Sequence, residues 1–178
     1  MDLKLKHKQP VDQTPSSFVL NCLHHKSIEL GGKVLDLACG YGRHTHLLRS
    51  QGFSVISCDL DTDGLSNIKQ YVTDSSCVCL DASKELPFLN NAFNLVVVIH
   101  YVDKGLLSRI ARLISSGGFL IYETYGGQGE NWLTLPLKGE IEDELGTQFS
   151  IIKLKEVYVG SELDPHVNTK LFARKNNG

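Results

Sequence analysis

Residues 34–42 read Val34-Leu35-Asp36-Leu37-Ala38-Cys39-Gly40-Tyr41-Gly42, and this segment gives the clearest indication of the fold class. An apolar run over residues 33–38 predicts a short buried strand, and a helix is predicted from Gly42 onward. Gly40 and Gly42 allow a ligand to approach the backbone closely, where a Cβ would collide with it. The unpaired N–H groups at the start of the helix favour a negatively charged group. This order of elements predicts a nucleotide-like ligand in an α/β fold.

Strands and helices continue to alternate on both sides of this stretch. Further strands are predicted at residues 54–58, 77–80, 93–99 and 119–123. A first helix is predicted to begin at Thr14-Pro15, with the hydroxyl of Thr14 as its N-cap, and a second to run from Gly42 to Gly52. A third is predicted from the helical spacing of Leu65, Ile68 and Val72. A fourth is predicted to be capped by Asp103, to include Ile114 and to end at Gly117-Gly118. Because parallel strands need crossover helices, the pattern predicts an open, doubly wound parallel sheet.

The pattern changes in the last third of the chain. Residues 126–137 contain three Gly, one Pro and the only Trp, and are therefore predicted to form a loop. A short helix is predicted at residues 140–145. Two strands follow at residues 151–159 and 167–174, and because their connection is short they should pair in antiparallel fashion.

The composition is that of an ordinary globular protein, with 42% hydrophobic and 21% charged residues. Its 178 residues suffice for one domain, predicted over residues 1–178 with a flexible or lightly packed arm at 1–13. The formal net charge of -2 argues against a nucleic-acid partner, which normally binds a basic face. The sequence has one basic cluster, formed by Lys4, Lys6, His7 and Lys8. We interpret it first as a solvated tail, and the alternative is a contact with nucleic acid or an acidic partner.

Signals for a membrane or for secretion are not found in the sequence. No stretch approaches the roughly 20 apolar residues that a membrane span requires, and residues 1–4 lack the apolar core of a signal peptide. The five cysteines are odd in number and show no CxxC spacing, so we interpret them as reduced core thiols. These features predict a cytoplasmic protein with no membrane partner, and they leave its oligomeric state open.

Two side chains near the glycine turn separate two classes of ligand. Gly40 and Gly42 match the first two glycines of the dinucleotide fingerprint, but Thr45 stands where a third glycine or an alanine is normal. The carboxylate of Asp36 suits the ammonium group of a methionine moiety better than the negative charge of a pyrophosphate. The N–H groups of the loop can then bind the carboxylate of the same moiety. This charge argument favours S-adenosylmethionine over NAD.

Two further aspartates are predicted at the carboxyl ends of successive strands. Asp59 follows Gly42 by 17 residues, and its carboxylate can accept hydrogen bonds from both ribose hydroxyls. Asp81 can accept a bond from the exocyclic amine of adenine, while the Ala82 N–H donates to a ring nitrogen. A turn or a helix cap explains any one such aspartate equally well. Together with Asp36, however, they lie at the edge where such sheets bind ligands, which favours a cofactor site.

These residues together resemble the class I S-adenosylmethionine-dependent methyltransferases. The resemblance covers the whole chain and rests on residues 34–42, on Asp59 and Asp81, and on Glu85-Leu86-Pro87-Phe88 leading to Phe93-Asn94-Leu95-Val96. It implies a Rossmann-like methyltransferase fold, with a mostly parallel seven-stranded sheet and a reversed C-terminal strand. Most members have Asp at the position of Asn94, a departure that affects no ligand role we can name.

More narrowly, the chain is similar to small, largely uncharacterised bacterial methyltransferases related to the tellurite-resistance methyltransferases. The matching segments are residues 15–17, 37–44 and 122–125, followed by Gly129-Glu130-Asn131. That group usually has Asn-Tyr-Leu-His-Arg where this chain has His100-Tyr101-Val102-Asp103-Lys104. It also usually has Gly-Asn-Glu where this chain has Gly129-Glu130-Asn131. Both departures fall where the acceptor is expected, so no acceptor is carried over from the group.

The motifs and the resemblance imply site residues on two sides of one cleft. The predicted cofactor side comprises Asp36, Ala38, Gly40, Gly42, Arg43, Asp59, Leu60, Asp81, Ala82, His100 and Tyr101. The predicted acceptor side lies over the ends of the fourth and fifth strands and comprises Tyr101, Glu123, Tyr125 and Trp132. His100 is the candidate base, since an imidazole titrates near neutrality, and a cofactor-lining or packing role is the alternative. No metal site is predicted, because residues i and i+2 of a helix, such as His44 and His46, face apart.

The predicted function is methyl transfer from S-adenosylmethionine to a small-molecule acceptor by in-line displacement, with S-adenosylhomocysteine as product. Three alternatives stay open. The first is a cofactor-binding module without turnover, and the second is a compact RNA methyltransferase that needs a partner. The third is a nucleotide-dependent oxidoreductase, against which Thr45 and Asp36 argue.

Overall fold

The computed structural model describes residues 14–72, 75–124, 133–159, 163 and 166–177. Five α-helices and seven strands lie in these ranges, with a short 3-10 helix at Gly146–Gln148. The helices are α1 Ser17–Leu23, α2 Arg43–Ser50, α3 Thr62–Tyr71, α4 Leu106–Ala111 and α5 Glu140–Leu145. The strands are β1 Lys33–Leu37, β2 Ser54–Asp59, β3 Ser76–Cys79, β4 Phe93–Ile99, β5 Ile114–Glu123, β6 Phe149–Val159 and β7 His166–Lys175.

All seven strands form one sheet, in the order β3-β2-β1-β4-β5-β7-β6. The first five strands of this order are parallel, whereas β7 runs antiparallel to both of its neighbours. The predicted doubly wound fold with a reversed C-terminal strand is therefore confirmed. The direction of winding reverses between β1 and β4, and ligands of such sheets bind at the carboxyl ends of the strands at this switch point.

The core lies on both faces of the sheet, because successive side chains of a strand point to opposite sides. Val97 of β4 packs in the layer with α1 and α2, which contribute Val19 and Leu48. The next residue, Val98, packs in the opposite layer, where α4 contributes Ile110 and α5 contributes Leu145. Strand β4 is buried at six of its seven residues, as predicted for the centre of a parallel sheet.

The first helix begins later than the sequence predicts. Thr14 is not its N-cap: the helix begins at Ser17, and the Ser16 hydroxyl accepts a hydrogen bond from the Phe18 N–H. Ser16 can do this because its side chain reaches the second N–H of the helix, which has no partner within the helix.

The fourth helix also differs from its prediction at both ends. Its N-cap is Gly105, in the left-handed region at φ 72°, and the carboxylate of Asp103 pairs with Arg109 instead of capping the helix. The helix ends at Ala111. Ile114 already begins β5, and the register of β5 with β4 shifts after that residue, so Gly117-Gly118 lie within an irregular part of the strand.

The cysteines are all free, but only some of them belong to the core. Cys22, Cys39 and Cys58 are buried, whereas Cys77 is half-buried and Cys79 is exposed. The prediction of a core thiol is therefore wrong for Cys79, because it lies on β3, at the edge of the sheet.

Several predictions fall on residues outside the described ranges. They concern the arm at residues 1–13 with its basic cluster, most of the predicted loop at 126–137, and the acceptor-side residues Tyr125 and Trp132. Among the residues that are described, no helix combines the length and the apolar character needed to cross a membrane.

Candidate functional site

The two loop glycines between β1 and α2 serve different purposes. Both have positive φ angles, 54° at Gly40 and 85° at Gly42. A Cβ on Gly40 would meet no atom within 4 Å, so this side of the loop faces open space. A Cβ on Gly42 would instead lie 2.3 Å from Cγ1 of Ile68, a fully buried side chain of α3. Gly42 is therefore required by packing, and Gly40 leaves space in which a ligand can approach.

Helix α3 approaches the loop through a third glycine that the sequence analysis missed. A Cβ on Gly64 would lie 2.5 Å from the carbonyl oxygen of Gly40. The signal was present, because a glycine inside a predicted helix lowers helix stability and is usually retained for close packing. The loop is thus held between α3 and the end of β1.

Asp59 connects the glycine loop to the carboxyl end of β2. Its Oδ2 accepts a hydrogen bond of 2.7 Å from the Gly40 N–H, and its Oδ1 accepts one of 2.8 Å from the Asp61 N–H. Each carboxylate oxygen has two lone pairs, so both can accept a further bond from a ligand. The next residue, Leu60, is 65% exposed and presents an apolar surface beside that carboxylate.

Asp36 lies beneath the loop, in a buried polar cluster. Its Oδ2 accepts a hydrogen bond of 2.6 Å from the Thr45 hydroxyl, which also contacts the Ser57 hydroxyl at 2.8 Å. Burial raises the pKa of Asp36 to about 7, although the bond from Thr45 lowers it. Asp36 is therefore only partly ionised at neutral pH, which qualifies the charge argument drawn from the sequence. An ammonium group beside it would restore its full negative charge.

Replacing Asp36 with Asn should change how stability depends on pH. Because the folded-state pKa of about 7 exceeds the ordinary value of 3.8, the native carboxyl holds a proton that the unfolded chain releases. The free energy of unfolding of the wild type therefore falls as the pH rises through this interval. The Asn variant keeps an acceptor for Thr45 but has no carboxyl group to titrate, so its free energy of unfolding does not fall in this way. Between about pH 4 and pH 8 the free energy of unfolding of the variant should therefore rise by about 2–4 kcal/mol relative to that of the wild type.

Thermal unfolding of both proteins across this pH range measures the difference. His44 titrates in the opposite sense, because burial lowers its pKa to about 4 and the folded state loses stability as the pH falls towards that value. Since His44 is present in both proteins, its contribution cancels in the difference. Parallel stability curves for the two proteins would contradict the raised pKa of Asp36.

Two residues next to the switch point have backbone angles that are unusual for side chains with a Cβ. Ala38, directly after β1, has φ 56°, and His100, directly after β4, has φ 62°. Such conformations cost of order 1–3 kcal/mol each and cluster at functional sites. The backbone N–H of His100 is held by the carbonyl of Glu123, at 2.7 Å. The strain thus lies at the ends of the two central strands, the edge at which sheets of this kind bind ligands.

The candidate base His100 is bound to the predicted cofactor residue Arg43. A guanidinium nitrogen of Arg43 lies 3.0 Å from Nδ1 of His100. Because a guanidinium only donates, Nδ1 accepts, and the neutral ring then carries its proton on Nε2. Partial burial and the charge of Arg43 lower the pKa of His100, which favours this neutral form. In this arrangement the Nδ1 lone pair of His100 is already used by Arg43, and the ring proton lies on Nε2.

The predicted adenine side comprises Asp81, Ala82 and Tyr101. Asp81 accepts bonds from the N–H and the hydroxyl of Ser83, and these bonds lower its pKa. Both bonds use Oδ1, so a local turn occupies one oxygen of the carboxylate. Partial burial raises the pKa of Tyr101, as do the carboxylates of Asp103, Asp81 and Asp59. Tyr101 therefore lies in the same electrostatic environment as the two strand-end aspartates.

Glu123, predicted on the acceptor side, is buried and already holds two partners. Its carboxylate accepts a bond from the Ser16 hydroxyl and pairs with the Lys170 amine at 2.8 Å. Burial alone would raise its pKa, but the bonds from Lys170 and Ser16 outweigh burial and lower it. Ser16 also donates its N–H to Nε2 of His44. Glu123 thus attaches the start of α1 to the sheet, a long-range role that the sequence did not reveal.

Comparisons with known proteins agree with this geometry. Residues 34–118 match the model of a methyltransferase domain family. The chain is also similar to a protein of Synechocystis named an uncharacterized methyltransferase, at 30% identity over 122 residues, which cover 64% of this chain and 56% of that protein. The chain spans about half the length of the curated relatives it matches, 56% of one and 40% of another.

Solved structures support the same fold. One is an S-adenosylmethionine-dependent methyltransferase from Mesorhizobium loti, at 19% identity and a TM-score of 0.65, covering 82% of this chain and 92% of that one. Another is TehB from Haemophilus influenzae, at 16% identity and a TM-score of 0.70, covering 91% of this chain and 63% of that one. At these identities the structures establish the architecture and leave the reaction undefined.

Proposed function

We propose that the chain is a class I S-adenosylmethionine-dependent methyltransferase and that it transfers the methyl group of S-adenosylmethionine to a small-molecule acceptor. The observation that carries the proposal is the 2.7 Å bond from the Gly40 N–H to Asp59. It brings the glycine loop and a strand-end carboxylate together beside the switch point, where such sheets bind ligands. We further propose one domain over residues 1–178 and a cytoplasmic location.

The residues present fit this cofactor. The open space in front of Gly40 accommodates a ligand that a Cβ would obstruct. The loop and the start of α2 would hold the methionine carboxylate, and Asp36 would face its ammonium group. Asp59 would accept from the ribose hydroxyls. The adenine would lie among apolar and polar groups from three loops, contributed by Leu60, Asp81, Ala82 and Tyr101.

When bound, S-adenosylmethionine supplies an activated methyl group for in-line displacement, with S-adenosylhomocysteine as product. The task of this chain is to align the acceptor with that group, and alignment lowers such barriers by up to about 7–11 kcal/mol. His100 lies at the end of β4, beside the proposed cofactor position. Because Arg43 engages its Nδ1, we assign His100 the role of a donor that orients the cofactor or the acceptor.

The same contact favours a second candidate function, a module that binds the cofactor without turnover. A general base must have a free lone pair within reach of the acceptor proton. In the resting arrangement Arg43 uses the Nδ1 lone pair of the best candidate. Acceptors that react without losing a proton, such as thioethers, do not need a base, so turnover and binding alone have to be separated by experiment.

Transfer of a labelled methyl group from S-adenosylmethionine tests the proposed function. The acceptor panel comprises thiols, phenols, amines, chalcogen oxyanions and RNA, and we expect transfer to at least one small molecule. Binding of S-adenosylhomocysteine with no transfer to any acceptor would instead support the binding module. Transfer to RNA alone would contradict a small-molecule acceptor.

His100→Ala should then separate a donor from a base. Loss of one orienting hydrogen bond should lower kcat about tenfold, whereas loss of a general base costs about 10²–10⁴-fold. The affinity for S-adenosylhomocysteine, measured by titration, should change less than about threefold if His100 orients the acceptor. A loss of kcat above about 100-fold, together with a changed pH profile, would contradict the donor role.

A further inference from the structure

A second cleft lies on the face of the sheet that α4 and α5 cover. Its volume is about 530 Å³, within the range of about 300–1,000 Å³ typical of small-molecule sites. The segment after β4 borders it: Tyr101 is on the proposed cofactor side, and Val102 and Lys104 line the cleft. Leu106, Leu107 and Ile141 supply apolar walls. The cleft is therefore adjacent to the proposed cofactor site and large enough for an acceptor.

Tyr122 of β5 lines this cleft. The residue is only 2% exposed. In the part of the chain that the structure describes, no side chain or backbone group bonds to its hydroxyl. Buried polar groups are nearly always satisfied by the protein, by water or by a ligand. The Tyr122 hydroxyl is not one of the fully buried unpartnered atoms of the described residues, so it opens onto the cleft, where water or a ligand with a complementary polar group can bond to it.

Two carboxylates on α5 face the same cleft. Glu140 and Glu144 are four residues apart, so they lie on one side of the helix, where like charges destabilise it. One oxygen of each accepts a backbone N–H, from Leu137 at 2.8 Å and from Ser108 at 3.0 Å. Among the described residues, neither forms an ion pair.

The remaining charges of the cleft do not neutralise this pair. Asp103 is neutralised by Arg109, and Lys104, at the border of the cleft, lies beyond ion-pair distance of Glu140 and Glu144. Burial, followed by the charges of Glu144 and Glu140, raises the pKa of Tyr122, so its hydroxyl keeps its proton. The cleft thus presents two carboxylates and a neutral phenol beside apolar walls, and the imidazole of His166, whose Nδ1 donates to the Leu135 carbonyl at 2.6 Å, also lines it.

We propose that this cleft binds the acceptor, and that the acceptor carries an amine or another organic cation on an apolar body. The proposal rests on the proposed function for its link to methyl transfer. The cation would lie between Glu140 and Glu144, and the Tyr122 hydroxyl would accept one of its hydrogen bonds. The apolar body would pack against Leu107 and Ile141.

Three probes with one apolar body and different charges test this assignment by calorimetric titration. They are tryptamine, which is cationic, tryptophol, which is neutral, and indole-3-propionate, which is anionic. Tryptamine is expected to bind at least about tenfold more tightly than tryptophol, because charge-assisted hydrogen bonds are the stronger class. The proposal would be overturned if indole-3-propionate bound as tightly as tryptamine.

Two sets of variants locate the binding. The double variant Glu140→Gln/Glu144→Gln keeps the acceptors for the two backbone N–H groups and should weaken tryptamine binding about tenfold, with tryptophol unchanged. Tyr122→Phe should weaken it about threefold. The charge-matched control, Glu142→Gln/Asp143→Asn on the same helix but outside the cleft lining, should bind like the wild type. Equal losses in control and test variants would overturn the assignment.

Titration with S-adenosylhomocysteine separates the two proposals. A protein that binds S-adenosylhomocysteine and shows no preference for tryptamine overturns only the cleft assignment. A protein that prefers tryptamine and does not bind S-adenosylhomocysteine overturns the proposed function and keeps the cation site.

Discussion

Gly42→Ala is expected to lower the free energy of unfolding by about 3 kcal/mol. A left-handed φ of 85° costs an alanine about 1–2 kcal/mol, and its Cβ would lie 2.3 Å from Cγ1 of the buried Ile68. Overpacking of this kind adds about 1–3 kcal/mol. For a domain of this size we expect the midpoint of thermal unfolding to fall by about 6–12 °C.

Two further variants test whether the collision with Ile68 causes the loss of stability. Gly40→Ala meets no atom within 4 Å, so it should cost only about 1 kcal/mol of backbone strain while it weakens cofactor binding. In the double variant Gly42→Ala/Ile68→Ala the collision is removed, so the destabilisation should be smaller than the sum of the two single effects. Additive effects, or a Gly42→Ala protein as stable as the wild type, would contradict the packing role of Gly42.

Asp59→Ala should lower the affinity for S-adenosylhomocysteine at least about 100-fold. In the proposed site this carboxylate would accept bonds from two ribose hydroxyls, and each hydrogen bond to a charged group contributes about 1.5–3 kcal/mol. The variant also releases the Gly40 N–H, which Asp59 holds at 2.7 Å, so the loop loses its attachment to β2. Titration calorimetry with S-adenosylhomocysteine measures the loss.

Asp61→Asn is the matched control for charge. Asp61 lies two residues further along and caps α3 by accepting from the Asp63 N–H, a bond that Asn retains. The control should bind S-adenosylhomocysteine within about threefold of the wild type. An Asp59→Ala protein that binds equally well would exclude a ribose contact at Asp59.

Much of the fold could be predicted because its signals are local. The continuous apolar run of β4 has the same bounds in the structure as in the prediction, Phe93–Ile99. Helix α5, Glu140–Leu145, agrees in the same way. The errors are at helix ends, where capping depends on competing contacts. Asp103 fails to cap α4 because Arg109, one turn into that helix, takes its carboxylate.

The candidate site was predictable only where residues near in sequence act together. The glycine loop and the positions of Asp36 and Asp59 follow from the order of strands. The hydrogen-bond partners of the site residues do not follow from the order of strands, because they depend on contacts between segments that are far apart in the sequence. Arg43 reaches His100 over 57 residues, and Ser16 reaches Glu123 over 107.

Every step of the proposed function requires that the chain binds a methyl donor at the carboxyl ends of β1 and β2. Calorimetric titration of the wild-type protein with S-adenosylhomocysteine and, separately, with NAD tests it most directly. We predict binding of one S-adenosylhomocysteine per chain and no binding of NAD. Binding of NAD without binding of S-adenosylhomocysteine would contradict the account.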